Sequence, residues 1–287
     1  MRYRSVLRPG LFDGQTIVVT GGGSGLGRCA AHEIAALGAH VVITGRKTEK
    51  LAAVKAEIEE DGGSCETHAF DIREEQPVKD SIAAIVAKNG RVHGLFNNAG
   101  GQFPADAEAI SQRGFDAVVR NNLTGGFLVA RETYLQSMKH HGGAIVFMSA
   151  DMRNGMPGMA HSGAARSGTK NLAMTLAFEW GHAGVRVNTI SPGWIASSGM
   201  DTYEGEFKRN IPLLKNHVPV RRLGTESEVS AGVCFLLSEA AAFITGLNLR
   251  IDGGVPLGTR NIPLPDGPGT TAFNGFHRTV VPKVLGG

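Results

Sequence analysis

Short runs of β-branched and aliphatic residues alternate along the chain with longer amphipathic segments. Residues 16–20, 40–44, 67–70, 94–97, 144–149, 186–190 and 247–251 form apolar runs of strand length. Between them, residues 28–37, 48–60, 78–89, 115–140, 164–180 and 227–237 carry apolar positions at helical spacing. The runs are almost continuously apolar, which suits strands of a parallel sheet covered by helices on both faces. The pattern predicts an α/β fold: one doubly wound domain over residues 1–255 with a seven-stranded parallel sheet. No solenoid-length repeat and no dividing linker interrupt it. Two segments break the alternation. Residues 191–220 are mixed in polarity around a short helical patch, and a substrate lid is expected at about 194–220. Residues 256–287 are rich in Pro and Gly and are expected to form an extended C-terminal tail that packs on a partner subunit.

Composition narrows the class. Forty glycines in 287 residues are about twice the usual share, and no Gly-x-y period accompanies them. The glycines therefore serve turns and close backbone approaches inside a folded domain. Twenty-nine basic against 26 acidic residues leave a net charge of +3, too small a surplus to argue for nucleic acid. Cys29, Cys65 and Cys234 are odd in number and scattered, as reduced thiols in a cytoplasmic protein would be. No apolar run of signal-peptide or membrane-span length is present, so no membrane partner is expected. The ten histidines show no metal-ligand spacing, and no metal is expected.

The first strand runs directly into Thr20-Gly21-Gly22-Gly23-Ser24-Gly25-Leu26-Gly27 and then into a helix. Glycines there let the backbone turn tightly and bring amide N–H groups, with the positive end of a helix dipole, against a pyrophosphate. At the end of the second strand an acidic residue would accept from a ribose 2′-hydroxyl; Gly45 stands there instead, followed by Arg46. A guanidinium can grip a 2′-phosphate bidentately, so NADP(H) is the expected cofactor.

The Gly-x-x-x-Gly-x-Gly spacing resembles the short-chain dehydrogenase/reductase superfamily, and other residues over about 14–254 match it in order. Asp71-Ile72 follow the third strand, Asn97-Asn98-Ala99-Gly100 the fourth, and Asn122 lies in the next helix. Ser149 ends the fifth strand, and Ser191-Pro192-Gly193-Trp194-Ile195 follow the sixth. The resemblance implies a Rossmann sheet and a homotetramer. It further implies cofactor contacts from Gly21, Ser24, Gly25, Leu26, Asp71, Ile72, Asn98, Ala99, Gly100, Arg166, Pro192, Gly193 and Ile195.

Most of that superfamily uses Asn, Ser, Tyr and Lys, the last two as Tyr-x-x-x-Lys on one helix face. This chain's tyrosines, Tyr3, Tyr134 and Tyr203, are followed four residues later by Leu7, Met138 and Phe207. In the matching segment Ser162 stands in the Tyr position and Arg166 in the Lys position; the family's serine falls on Ala150, with Ser149 just before it. Arginine does not release a proton near neutrality. The candidate catalytic set is accordingly Asn122, Ser149, Ser162 and Arg166, with Lys170 and His161 as second-rank neighbours. Trp194, Met200, Tyr203, Phe207, Leu213 and Leu214 are candidates to line an acyl or prenyl channel.

The run from His161 to Arg166, and Asn97 to Phe103, resemble the trans-2-enoyl-CoA reductase and 2,4-dienoyl-CoA reductase branch; where the dienoyl-CoA enzymes carry a tyrosine after the fifth strand, Asp151 stands here. The N-terminus and residues 193–203 resemble bacterial dehydrogenases of citronellol and citronellal breakdown. Three functions stay open. One is NADPH-dependent reduction of an α,β-unsaturated acyl-CoA, with hydride to the β-carbon. The second is oxidation of an acyclic terpenoid alcohol, and the third is cofactor binding with little turnover.

Overall fold

The computed structural model describes residues 2–152, 154–257, 263–265 and 267–287, so part of the expected tail, 258–262 and 266, lies outside the described residues. Seven strands form one parallel sheet: β1 (Thr16–Thr20), β2 (His40–Gly45), β3 (Ser64–Ala69), β4 (Gly94–Asn97), β5 (Gly143–Met148), β6 (Val185–Pro192) and β7 (Asn248–Ile251). Their order across the sheet is β3-β2-β1-β4-β5-β6-β7. The winding direction reverses between β1 and β4, which opens a crevice beyond their carboxyl ends, where ligands bind in sheets of this kind. Among the described residues, helices α1 (Gly25–Ala36), α2 (Thr48–Glu60), α3 (Glu75–Asn89), α4 (residues 112–141), α5 (Ala160–Trp180) and α7 (Glu226–Leu237) flank the sheet, and the short α6 (Gly205–Asn210) lies in the segment after β6.

Both faces of the central strands are buried. On one side Ile17, Val19, Val41 and Ile43 pack with α1 and α7 through Ile34, Val229 and Val233. On the other, Val18, Val42, Leu95 and Ile145 meet Ile82, Val129 and Leu176. Alternate residues of one strand thus enter opposite cores, which is why the strands read as unbroken apolar runs. Each such buried side chain contributes about 1.5–3 kcal/mol relative to exposure.

The elements match the periodicity in kind and depart from it at their ends. The third strand begins at Ser64, three residues before the apolar signal, because the polar Glu66 is satisfied in the sheet by His68 (2.6 Å) and Asn89 (3.2 Å). Helix α3 begins at Glu75 with a polar first turn containing Pro77, where unpaired N–H groups are normal. Helix α4 is interrupted by wider turns at Arg120–Thr124 and Tyr134–Met138, and the first of these carries Asn122.

Between β6 and α7, Ile195–Ala196 pair with Gly224–Thr225. The intervening chain forms short turns at Ser198–Thr202 and Ile211–His217 around α6, rooted by buried Met200 and Ile211. Described residues of the C-terminal stretch make contacts within their own chain. Gly275 and Phe276 N–H donate to Ser227 Oγ (3.1 and 3.0 Å), and the buried Phe276 ring stacks on Tyr3 with the Arg28 guanidinium 4.9 Å from its centroid. Arg278 bonds both carboxylate oxygens of Asp61, at 2.8 and 3.1 Å. Gly275, Phe276 and Arg278 thus find partners on α1, on α7 and at the end of α2.

His32 lies under this clasp, 5.0 Å from the Phe276 ring and 3.1 Å from Glu57. Burial pushes its pKa down to about 4, against the attraction of Glu57 and Asp61. Between the ordinary histidine value near 6.5 and about 4, the unfolded chain holds a proton there that the folded chain does not, so stability falls as pH is lowered. The urea midpoint of the wild type should drop between pH 7 and pH 5, and His32→Asn should reduce that drop. Equal pH dependence in the two proteins would exclude His32 as its source.

Candidate functional site

The carboxyl ends of β1 and β4 are joined by Thr20. Its buried Oγ1 accepts the backbone N–H groups of Asn98 and Ala99 at 2.9 Å each, and its carbonyl accepts Asn98 Nδ2 at 2.9 Å. These bonds fix the loop after β4 against the glycine turn after β1. In that turn Gly21 and Gly25 adopt φ of +68° and +54°, which L side chains avoid. A Cβ on Gly27 would stand 2.3 Å from the Gly21 carbonyl oxygen, so α1 approaches the turn as closely as backbone allows. Ser24 caps α1 without a side-chain cap bond, leaving its hydroxyl and the first-turn N–H groups facing the crevice.

A cavity of about 840 Å³ continues from this turn across the sheet's carboxyl edge. Gly21, Ser24, Leu26, Arg46, Asp71, Ile72, Asn98, Ala99, Gly100, Ser149, Arg166, Pro192, Gly193 and Ile195 line it; Gly25 shapes the turn without lining it. At one end Arg46, Lys47 and Lys50 place three exposed cations beside Gly45. Asp71 is held by the Arg73 guanidinium and backbone N–H, and the Arg73 bonds keep its carboxyl below the usual range.

Asn122 is engaged through both side-chain atoms: Oδ1 accepts Gly101 N–H (3.1 Å), and Nδ2 donates to the Gly101 (2.7 Å) and Val118 (2.9 Å) carbonyls. It pins the loop over 98–101 to the wide turn of α4. Gly100 fits between Asn122 and Arg166, with Asn122 Oδ1 only 2.4 Å from where its Cβ would be. Ser149 Oγ donates to the Arg166 carbonyl at 3.3 Å.

Arg166 is buried, and among the described residues it forms no ion pair. Its Nη1 donates to the Met148 carbonyl at 2.6 Å, while Nε has no partner. Burial pushes its pKa down to about 10. A buried guanidinium with an unused donor is costly unless a ligand completes it. Together with a turn that any Cβ would fill and the three cations at the far end, this fits a dinucleotide: pyrophosphate at the helix start, ribose hydroxyls at Arg166. Among the described residues no group of three His, Cys, Asp or Glu could hold a metal ion.

Ser162 sits on α5 where its spacing assigns it, but its side chain does not reach the cavity. It is 0% exposed and outside the cavity lining, and its Oγ donates to Gln102 Oε1 at 2.5 Å. A serine hydroxyl is shorter than a phenol by a ring, so from this position on α5 it reaches the cavity only through Gln102. Lys170 and His161 do not line the cavity either. The His161 Nδ1 accepts Ser162 N–H at 2.8 Å, and its ring meets Phe103 edge-on.

Of the apolar candidates, Trp194, Met200, Tyr203, Phe207 and Leu214 line the cavity, whereas Leu213 is 54% exposed and does not. Periodicity missed Thr20, Gln102 and the methionines of the β5–α5 loop. Met148, Met152, Met156, Met159 and Met200 all face the cavity, five of the chain's eight methionines. The signal was the clustering of four of them over 148–159, from the last residue of β5 through the loop that follows it.

The family model described as "Enoyl-(Acyl carrier protein) reductase" matches residues 21–256. A probable 2,4-dienoyl-CoA reductase of Bacillus subtilis is 37% identical over 84% of this chain and 96% of its own length. The peroxisomal 2,4-dienoyl-CoA reductase of Danio rerio is 33% identical over 91% of this chain and 87% of its own. Among solved structures, the citronellol catabolism dehydrogenase AtuB of Pseudomonas aeruginosa PAO1 is 59% identical, with a TM-score of 0.81 over 89% of this chain and 100% of that one.

Thr20→Val keeps the shape of the side chain and removes its acceptor, leaving the Asn98 and Ala99 N–H groups without their partner. Affinity for a nicotinamide dinucleotide, followed by fluorescence titration, should fall about tenfold, and stability by about 1–3 kcal/mol. Unchanged binding would show that the two loops hold their positions without this bond.

Proposed function

The chain belongs to the short-chain dehydrogenase/reductase family, and within that family we propose that it is an NADP(H)-dependent reductase of α,β-unsaturated acyl thioesters with a flexible, lipophilic acyl chain. The observation that carries this reading is the methionine-lined end of the cavity beyond Arg166. Unbranched thioether side chains adapt to irregular aliphatic shapes, and no acidic side chain is needed there to bind an acyl chain. The relatives named as dienoyl-CoA reductases support the substrate class.

When bound, NADPH supplies a hydride. The chain's own groups do the rest. The N–H groups at the start of α1 and the Ser24 hydroxyl would take the pyrophosphate. Arg46, with Lys47 and Lys50, would take the 2′-phosphate, and Asp71 and Ile72 would border the adenine. Asn98, Ala99 and Gly100, with Pro192, Gly193 and Ile195 opposite, would border the nicotinamide half. Asn122 keeps the loop over 98–101 in place. Arg166 would hold ribose hydroxyls through its unused donor and lend positive charge to the oxyanion that develops on the thioester, and Ser149 would turn its hydroxyl to that oxygen. Ser162 acts on the cavity through Gln102. The protein is proposed to work in the cytoplasm as a homotetramer without the Tyr-x-x-x-Lys pair. It would do so because protonation at carbon does not require the group that an alcohol oxidation needs.

A second reading, oxidation of an acyclic terpenoid alcohol, is favoured by the 59% identity to the citronellol catabolism dehydrogenase and by the Tyr203 phenol in the cavity. The test is NADPH consumption with a series of 2-enoyl- and 2,4-dienoyl-CoAs, beside NADP⁺ reduction with citronellol and geraniol. Turnover of the thioesters is expected. Turnover of alcohols alone would replace the first reading by the second, and tight cofactor binding without any turnover would replace both by a binding role.

Arg46→Ser should lower kcat/KM for NADPH at least about tenfold and leave that for NADH nearly unchanged, since only the bidentate phosphate contact is lost. Equal losses with both cofactors would remove Arg46 from the discrimination.

A further inference from the structure

The reductase reading leaves the source of the substrate's proton open, and the hydrogen bonds around the cavity narrow it. Arg166, even with its pKa pushed down to about 10, keeps its protons near neutrality. The Ser149 hydroxyl donates to the Arg166 carbonyl and the Ser162 hydroxyl to Gln102. Aliphatic hydroxyls are in any case far weaker acids than a phenol. Tyr203 stands in a different position. It lines the cavity from the segment after β6, and its hydroxyl oxygen accepts Gln102 Nε2 at 3.3 Å. The other end of the same carboxamide accepts the Ser162 hydroxyl. The phenol therefore stands one carboxamide away from the α5 serine, with a lone pair engaged by the amide. Among the described residues no acceptor takes its proton, so the O–H is free to turn into the cavity.

The ring is held in place from several sides. Phe207 meets it edge-on at 4.8 Å, and the buried Met200 roots the turn that precedes it. Two residues earlier, the Asp201 carboxylate accepts the backbone N–H groups of Lys283 and Val284 at 3.1 Å each, tying the segment to the C-terminal stretch.

We propose that Tyr203 is the proton donor of the reaction, brought to the cavity by the 198–211 segment and aimed by Gln102. This rests on the reductase reading. Reduction adds one hydride and one proton across the substrate's carbon–carbon double bond. The hydride, with its electron pair, comes from NADPH and bonds the β-carbon. The π pair moves to the α-carbon and the thioester oxygen. The Tyr203 O–H bond breaks, its electron pair stays on the phenol oxygen, and the proton bonds the α-carbon. Water at the mouth of the cavity returns a proton to the half-buried phenolate.

The test compares wild type, Tyr203→Phe and Gln102→Leu on the best enoyl-CoA, with NADPH affinity by fluorescence and the thermal midpoint measured on each. Tyr203→Phe should lower kcat by about 10² or more, leave KM within about threefold and leave NADPH affinity and the thermal midpoint unchanged. Gln102→Leu should lower kcat by about tenfold, because the phenol remains but loses its aim. A kcat for Tyr203→Phe within threefold of wild type, on a wild type that turns over, would overturn the Tyr203 assignment alone. A joint loss of NADPH affinity and thermal stability in Tyr203→Phe would also overturn it, in favour of a packing role. A wild type inactive on every enoyl- and dienoyl-CoA would overturn the reductase reading and this assignment with it.

Discussion

The approach of α1 to the end of β1 is the contact on which the binding half of the molecule depends. With the Gly21 carbonyl oxygen 2.3 Å from where a Gly27 Cβ would stand, no side chain fits between helix and turn. That closeness aims the helix's free N–H groups at the crevice instead of at a neighbouring side chain. It also brings the end of β1 to the end of β4, where Thr20 ties both loops with three hydrogen bonds. The loop over 98–101 is then held from the other side by Asn122, and Gly100 fits only because it has no side chain to meet Asn122 and Arg166. One backbone contact thus propagates through Thr20 and Asn122 to the far side of the cavity.

Much of this was legible because backbone requirements write themselves into residue type. Positive φ at Gly21 and Gly25 calls for glycine, and dry strands covered on both faces call for unbroken apolar runs, so the sheet and its glycine turn follow from pattern. What was not legible depends on tertiary satisfaction. Ser64 and Glu66 enter β3 because His40 lies within reach of the first and His68 and Asn89 within reach of the second, and a one-dimensional pattern carries no record of that. Ser162 occupies the helix position that spacing assigns to it, yet its hydroxyl turns to Gln102. Spacing determines the face of a helix, not the partner that a short side chain finds there.

Arg166 shows how burial and charge divide the labour. A guanidinium away from water with one carbonyl partner is unfavourable alone, and among the described residues no carboxylate pairs with it to repay the loss. Had one been placed there, the charge would be spent within the protein. Left unspent, it favours a ligand that brings hydroxyls and a developing negative charge.

The two ends of the cavity follow opposite rules. The dinucleotide end is rigid, with glycine contacts, doubly engaged side chains and a parallel sheet beneath it. The far end is built from methionines and from a segment carried on short turns, anchored at Met200 and Ile211 and by the Asp201 contacts with the C-terminal stretch. Rigidity suits a ligand of constant shape, because preorganised donors lose little on binding. Flexible thioethers suit a chain whose length and branching vary, because they repack without opening voids. An acid carried on the adaptable wall would follow the substrate's shape, whereas one fixed on α5 would serve a single placement of the reacting carbons. On the proposed reading, the contrast between the two walls would make the protein strict about its cofactor and tolerant of the aliphatic part of its substrate.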